Sequence, residues 1–206
     1  MQKLSENFQL SEFIYSSVSK EEIRPTKFQI EKLKYLAQNI LQPIRDKWGP
    51  LRITSGLRTY KTYLALKKKG YPASKTSDHF LIPYLKWSVI KQMWLVPSDV
   101  PNPRGKGAAD FIAIRANAWD VWYWVLENFK PGEDYNQFII YPKNYSYVKT
   151  DYFHISNPAK IFNCPSIVPS KRPILVFVKG NNNFDEEFVS FEKFIKIMGK
   201  KFKERR

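Results

Sequence analysis

Ala109-Asp110-Phe111-Ile112-Ala113-Ile114 reads as a strand, and after two residues Asn117-Ala118-Trp119-Asp120-Val121-Trp122-Tyr123-Trp124-Val125-Leu126-Glu127-Asn128-Phe129 reads as a helix. Trp119, Trp122, Val125 and Phe129 recur at the three-to-four spacing of one helix face. Further strands are expected at Gln137 to Tyr141, Tyr147 to Ile155 and Ile174 to Val178. Strands gathered after a helix, joined by short links, predict an α+β fold: a single compact domain whose small, mostly antiparallel sheet is flanked by helices.

Upstream, Thr26 can cap a helix whose apolar residues run from Phe28 to Ile44 at helical spacing. Gly49-Pro50 ends it, Leu51-Arg52-Ile53-Thr54 reads as a short strand, and Ser55-Gly56 as a turn. Residues 1–25 are polar, with Phe8, Leu10, Phe13 and Ile14 as buried anchors. Thr59 to Lys69 suits a basic helix, and 70–79 a loop. Phe80 to Val96 is apolar and aromatic, and Pro97 to Gly107 is a loop rich in proline and glycine. Past residue 160, the strand near Ile174 and a basic amphipathic helix from Asp185 form a C-terminal appendage, residues 161–206. Its acidic start and basic end suit the helix dipole.

Lys and Arg number 34 against 19 Asp and Glu, a formal net charge of +15. That balance favours polyanionic partners such as anionic cell-wall polymers or nucleic acid, and says nothing about fold. Cys164 is the only cysteine, so an internal disulfide and cysteine-rich zinc patterns are excluded, and it reads as a packed residue. Met1 to Asn7 lacks the apolar core of a signal peptide, and no stretch approaches the roughly 20 apolar residues of a membrane span. The expectation is a monomer made in the cytoplasm.

The chain has two histidines, His79 in Ser77-Asp78-His79 and His154 in Asp151-Tyr152-Phe153-His154. Between them Gly105-Lys106-Gly107-Ala108-Ala109 leads into Asp110. Two imidazoles and a carboxylate can hold zinc and leave a coordination position open. Such chemistry also needs a base and a cation, for which Asp151 and Arg58 are the candidates. Taken singly, each residue has a bland reading: Asp110 a helix cap, Asp151 a solvated strand residue, Arg58 a surface charge. The Trp119, Trp122 and Trp124 cluster reads as core. Alternation would put Asp151 and His154 on opposite faces of a strand, so the pair requires a bulge or a strand end there.

The chain here resembles the M15 group of zinc peptidases, which hydrolyse peptidoglycan cross-bridge peptides. The group includes D-alanyl-D-alanine carboxypeptidases, vancomycin-resistance dipeptidases and phage L-alanyl-D-glutamate endolysins. The resemblance is carried by Ser55-Gly56-Leu57-Arg58, Ser77-Asp78-His79, Ala108-Ala109-Asp110 and Asp151-Tyr152-Phe153-His154, in that order, and extends over residues 4–157. Asn7-Phe8-Gln9-Leu10-Ser11-Glu12-Phe13 and Ile40-Leu41-Gln42-Pro43-Ile44-Arg45 resemble the opening of one branch. It implies that His79, Asp110 and His154 ligate Zn2+, that Asp151 is the general base, and that Arg58 holds the substrate carbonyl or oxyanion. A peptidase domain over residues 1–160 and a role as a phage lysis protein acting on the cell wall are the corresponding expectations.

The chain departs from the group in two places. Its Asp110 lies 31 residues beyond His79, far more than the group's spacing, because residues 80–106 form an insertion. That insertion must leave and return at nearly the same point, and it either walls the cleft or packs as a helix on the flank. Tyr141 stands where some relatives carry an acidic residue. The alternative is a catalytically degenerate relative that binds cell wall or nucleic acid.

Overall fold

The computed structural model describes residues 2–71, 73, 77–80, 86–88, 93–95, 106–141, 143, 149–158 and 175–176. The expected C-terminal helix and Cys164 lie outside these residues.

The chain begins with a one-turn helix α1, Ser11–Ile14, and a short hairpin of β1, Tyr15–Ser16, and β2, Glu21–Glu22. α2, Lys27–Leu36, starts at Thr26 with a reciprocal capping box: the Thr26 side chain accepts from the Gln29 amide, and the Gln29 side chain from the Thr26 amide. A π-helical turn, Ala37–Leu41, then joins α2 to α3, Gln42–Trp48. Gly49, at φ 82°, ends α3 in a conformation glycine adopts without steric cost. β3, Leu51–Ser55, is followed by α4, Tyr60–Lys68, whose cap is Thr59. β4, Lys86–Ser88, and β5, Met93–Leu95, pair as an antiparallel hairpin, so this part of the apolar insertion is strand and not the helix considered from sequence. Short apolar runs do not distinguish the two by periodicity alone.

β6, Ala108–Ala113, α5, Ala118–Asn128, β7, Phe138–Tyr141, β8, Tyr152–Ser156, and β9, Leu175–Val176, complete the order. Asn117 caps α5 through its side chain. The expected strand at Tyr147 to Ile155 is corrected at its start. Lys149–Asp151 stand outside the ladder, and β8 begins at Tyr152.

The main sheet has the order β3-β6-β8-β7-β9, antiparallel except for the β7–β9 pair. The fold is therefore α+β with a small, mostly antiparallel sheet. One face of the sheet is the core: Leu51, Ile53, Ala109, Phe111, Phe138, Ile140, Phe153 and Ile155 pack with Leu33, Leu36, Ile40, Ile44, Val121, Trp122 and Val125 of the helices. Rings cross the strands in a row, Phe111 to Phe153 at 5.0 Å, Phe153 to Phe138 at 5.6 Å, and Phe138 to Trp122 at 4.6 Å between centroids. Such pairs add about 0.5–1.5 kcal/mol each beyond the area they bury. Trp122 is thus core, as expected, and Trp119 and Trp124 are partly buried against it. Phe8, Phe13 and Ile14 are buried anchors, and Leu10 packs against them partly buried.

The period-2 alternation sends the remaining strand residues to the opposite face. There one rung of the sheet runs Ser55, Asp110, His154, Ile139. A bulge between Ile53 and Ser55 sets Ser55, in place of Thr54, opposite Asp110. It re-aims the chain that continues into Gly56, Leu57 and Arg58.

Candidate metal centre

Asp110 and His154 are direct cross-strand partners on β6 and β8, so their side chains rise together from one face. His79 comes from the loop after α4. Its carbonyl accepts the Arg58 amide at 3.0 Å, and its amide donates to Ser77 Oγ at 3.4 Å. These bonds bring the imidazole over the sheet, where its centroid lies 5.0 Å from that of His154. His79 Nε2 stands 3.1 Å, and His154 Nδ1 2.8 Å, from the same oxygen, Asp110 Oδ1. One ligand atom from each of His79, Asp110 and His154 lies within 4.8 Å of the others, a group that could hold a metal ion.

The far nitrogens decide the protonation. His79 Nδ1 is 2.6 Å from the Gly56 carbonyl oxygen, which can only accept, so Nδ1 carries the hydrogen. His154 Nε2 is 3.3 Å from Gln137 Oε1 and donates there in the same way. In a neutral ring so oriented, the near nitrogen presents its lone pair. Burial pushes the His79 pKa down, outweighing the Asp110 charge that would raise it, so the ring is neutral at physiological pH. Burial pushes Asp110 up, but a protonated or hydrogen-bond-donating imidazole at its carboxylate outweighs burial and holds the carboxyl below the usual carboxylate range. An ionised oxygen facing a neutral nitrogen's lone pair at 3.1 Å is repulsive unless a positive species joins them. A divalent cation does so, and hydrogen-bonded far nitrogens are the usual means of orienting histidine ligands. Two imidazole nitrogens and a carboxylate oxygen are a donor set that fits zinc and other first-row metals.

Gly56 is held by close approach. A Cβ there would come under 3.0 Å from the carbonyl oxygen and Cα of Phe13. Leu57 N–H donates to that Phe13 oxygen at 2.7 Å. The carbonyl that orients His79 is therefore seated against α1.

Of the residues expected from sequence, His79, Asp110 and His154 converge. Arg58 joins them: its Nη2 is 4.0 Å from Asp110 Oδ2, its Nη1 is 3.5 Å from Ser77 Oγ, and its side chain is 11% exposed. Asp151 does not join the cluster. It lies one residue before β8, at the strand end that the spacing to His154 required, and its Oδ1 accepts the Lys143 amide. Sequence reasoning gave no ligand-orienting role to the Gly56 carbonyl or to Gln137. The backbone atom carries no residue signature, and Gln137 is set by cross-strand register alone. Tyr141 stacks on its partner Tyr152 at 4.4 Å between centroids.

The insertion does leave and return at one point. Gly107 N–H donates to the Asp78 carbonyl at 3.1 Å, and Lys106 Nζ lies 3.4 Å from Asp78 Oδ1. Among the described residues, no helix is long and apolar enough to cross a membrane. Comparison of the chain with protein-family models, curated proteins and solved structures gives no match.

Proposed function

We propose that this chain is a zinc-dependent peptidase of the M15 kind that hydrolyses cross-bridge peptides of peptidoglycan. The observation that carries the reading is the pair of buried imidazoles. Both aim a ring nitrogen at one carboxylate oxygen, with their far nitrogens engaged by Gly56 and Gln137. The order of the motifs around Arg58, His79, Asp110 and His154 supports the peptidase class. What a bound zinc ion contributes at such a site is Lewis acidity toward a carbonyl and a water molecule.

The chain's own groups do the rest. Arg58 fixes the substrate carbonyl and meets the negative charge that grows on its oxygen. Asp151 takes the proton of the attacking water and returns it to the leaving amine. That role requires its carboxylate to exchange the Lys143 amide for the substrate's water. Gln137 and the carbonyl of Gly56 hold the two histidines in their working tautomers. The formal charge of +15 suits approach to the anionic polymers of a cell wall, in keeping with a phage lysis protein.

The test joins metal analysis to mass spectrometry of peptidoglycan digested by the purified chain. About one zinc per chain is expected, with loss of the metal in His79→Ala and in His154→Ala. New amine and carboxyl ends in the peptide stems are expected only from the metal-loaded wild type. Full zinc in both variants would end the ligand assignment. Wall or nucleic-acid binding without new ends would leave only the degenerate alternative.

A further inference from the structure

Asp78 lies between Ser77 and the ligand His79, is buried, and faces away from the ligand cluster's contacts toward two other chain segments. Its Oδ1 meets Lys106 Nζ at 3.4 Å, and its Oδ2 accepts from Asn136 Nδ2 at 3.3 Å. Its main-chain oxygen accepts the Gly107 amide. Gly107 in turn accepts the amide of Asn157 at 2.9 Å, and Asn157 Nδ2 donates to the carbonyls of Lys106 and Lys32 at 3.0 and 2.9 Å.

Each attachment sits beside a different part of the metal centre. Lys106 and Gly107 lead straight into β6, which carries Asp110. Asn136 precedes Gln137, the partner of His154 Nε2. Asn157 follows directly on β8, which carries His154. Three ligands that are 31 and 44 residues apart in sequence thus share one buried anchor. Relying on the reading of His79, Asp110 and His154 as a metal site, we propose that Asp78 is a positioning residue. It clasps the neck of the 80–106 insertion and sets the distance between His79 and the strands that bear the other two ligands. It touches neither metal nor substrate. Its contribution is geometric, as supporting hydrogen bonds are for metal ligands generally.

The test titrates the full chain with cobalt(II), whose visible absorption reports coordination geometry. Wild type, Asp78→Asn, Lys106→Met and Lys106→Arg are compared, with circular dichroism as a check on folding. Asp78→Asn and Lys106→Met should bind cobalt about 10–100-fold more weakly and show an altered spectrum even at saturation. Lys106→Arg, which keeps the cation, should restore both. Lys106 is 21% exposed, so its Met variant keeps the experiment decisive if Asp78→Asn does not fold. Wild-type affinity and spectrum in Lys106→Met, with or without a lower melting temperature, would overturn the clasp. A wild type that takes no cobalt would instead overturn the metal site itself, so the two failures are distinct.

Discussion

Asp110 offers one oxygen to both imidazoles and the other to Arg58, so a single carboxylate sets the charge balance of the centre. Arg58 and Asp151 are outside the ligand set, and replacing either should separate chemistry from binding. Arg58→Ala is expected to keep its zinc and lose on the order of 10²–10³ in kcat on peptidoglycan fragments, the usual scale for removing an oxyanion donor. Asp151→Ala should likewise keep zinc and lose about 10² or more. Turnover at the wild-type rate in either variant removes that residue from the mechanism. The His79, Asp110 and His154 group was legible in the sequence because it has only two histidines, each in a motif, with Asp110 between them. The groups that orient them were not legible. Gly56 acts through a carbonyl every residue possesses, and Asp78, Lys106 and Asn136 meet only in three dimensions.

At the scale of elements, caps and short apolar runs carry most of the information. Thr26, Thr59 and Asn117 each stand at the start of a helix and accept a backbone amide. The strands that hold the site read as short apolar runs, and β7 and β8 are buried along most of their length. The bulge before Ser55 and the π-helical turn at Ala37–Leu41 have no such signature, because both are settled by packing after the flanking elements are in place. The insertion also depends on tertiary context. Its neck is closed by the Asp78–Gly107 bond and the Lys106 ion pair, while Phe80 is buried and packs 6.2 Å from the Tyr63 ring. Replacing residues 82–104 with a short glycine linker should therefore leave metal affinity within about threefold, since loop closure depends only weakly on length. Zinc titration of the shortened chain measures this, and loss of zinc would show that the insertion supports the centre. A changed substrate preference with zinc intact would place the insertion at the cleft wall.

For the whole molecule, the buried histidine and carboxylate make acid the weak side of stability. His79 has its folded pKa lowered from 6.5, so as pH falls below that value the unfolded chain gains a proton the folded chain refuses. Asp110 has its folded pKa lowered from 3.8, so its stabilising contribution is present above that value and is lost as pH falls below it. Both act in the same direction. The metal-free protein should hold its melting temperature above pH 7 and lose at most about 3–5 °C per pH unit below 6.5, from a limit near 1.36 kcal/mol per unit for one group. His79→Gln should flatten the first part of that fall, and a wild-type melting temperature constant from pH 7 to 5 would contradict it. The strand order adds a matter of timing. β8 is made after β6 and β7, yet it lies between them. A chain cut short before Tyr152 lacks both the strand that joins β6 to β7 and the second imidazole. The strand that joins the two halves of the sheet also carries the last residue of the candidate metal group. On the reading proposed above, a copy stalled before His154 cuts no wall.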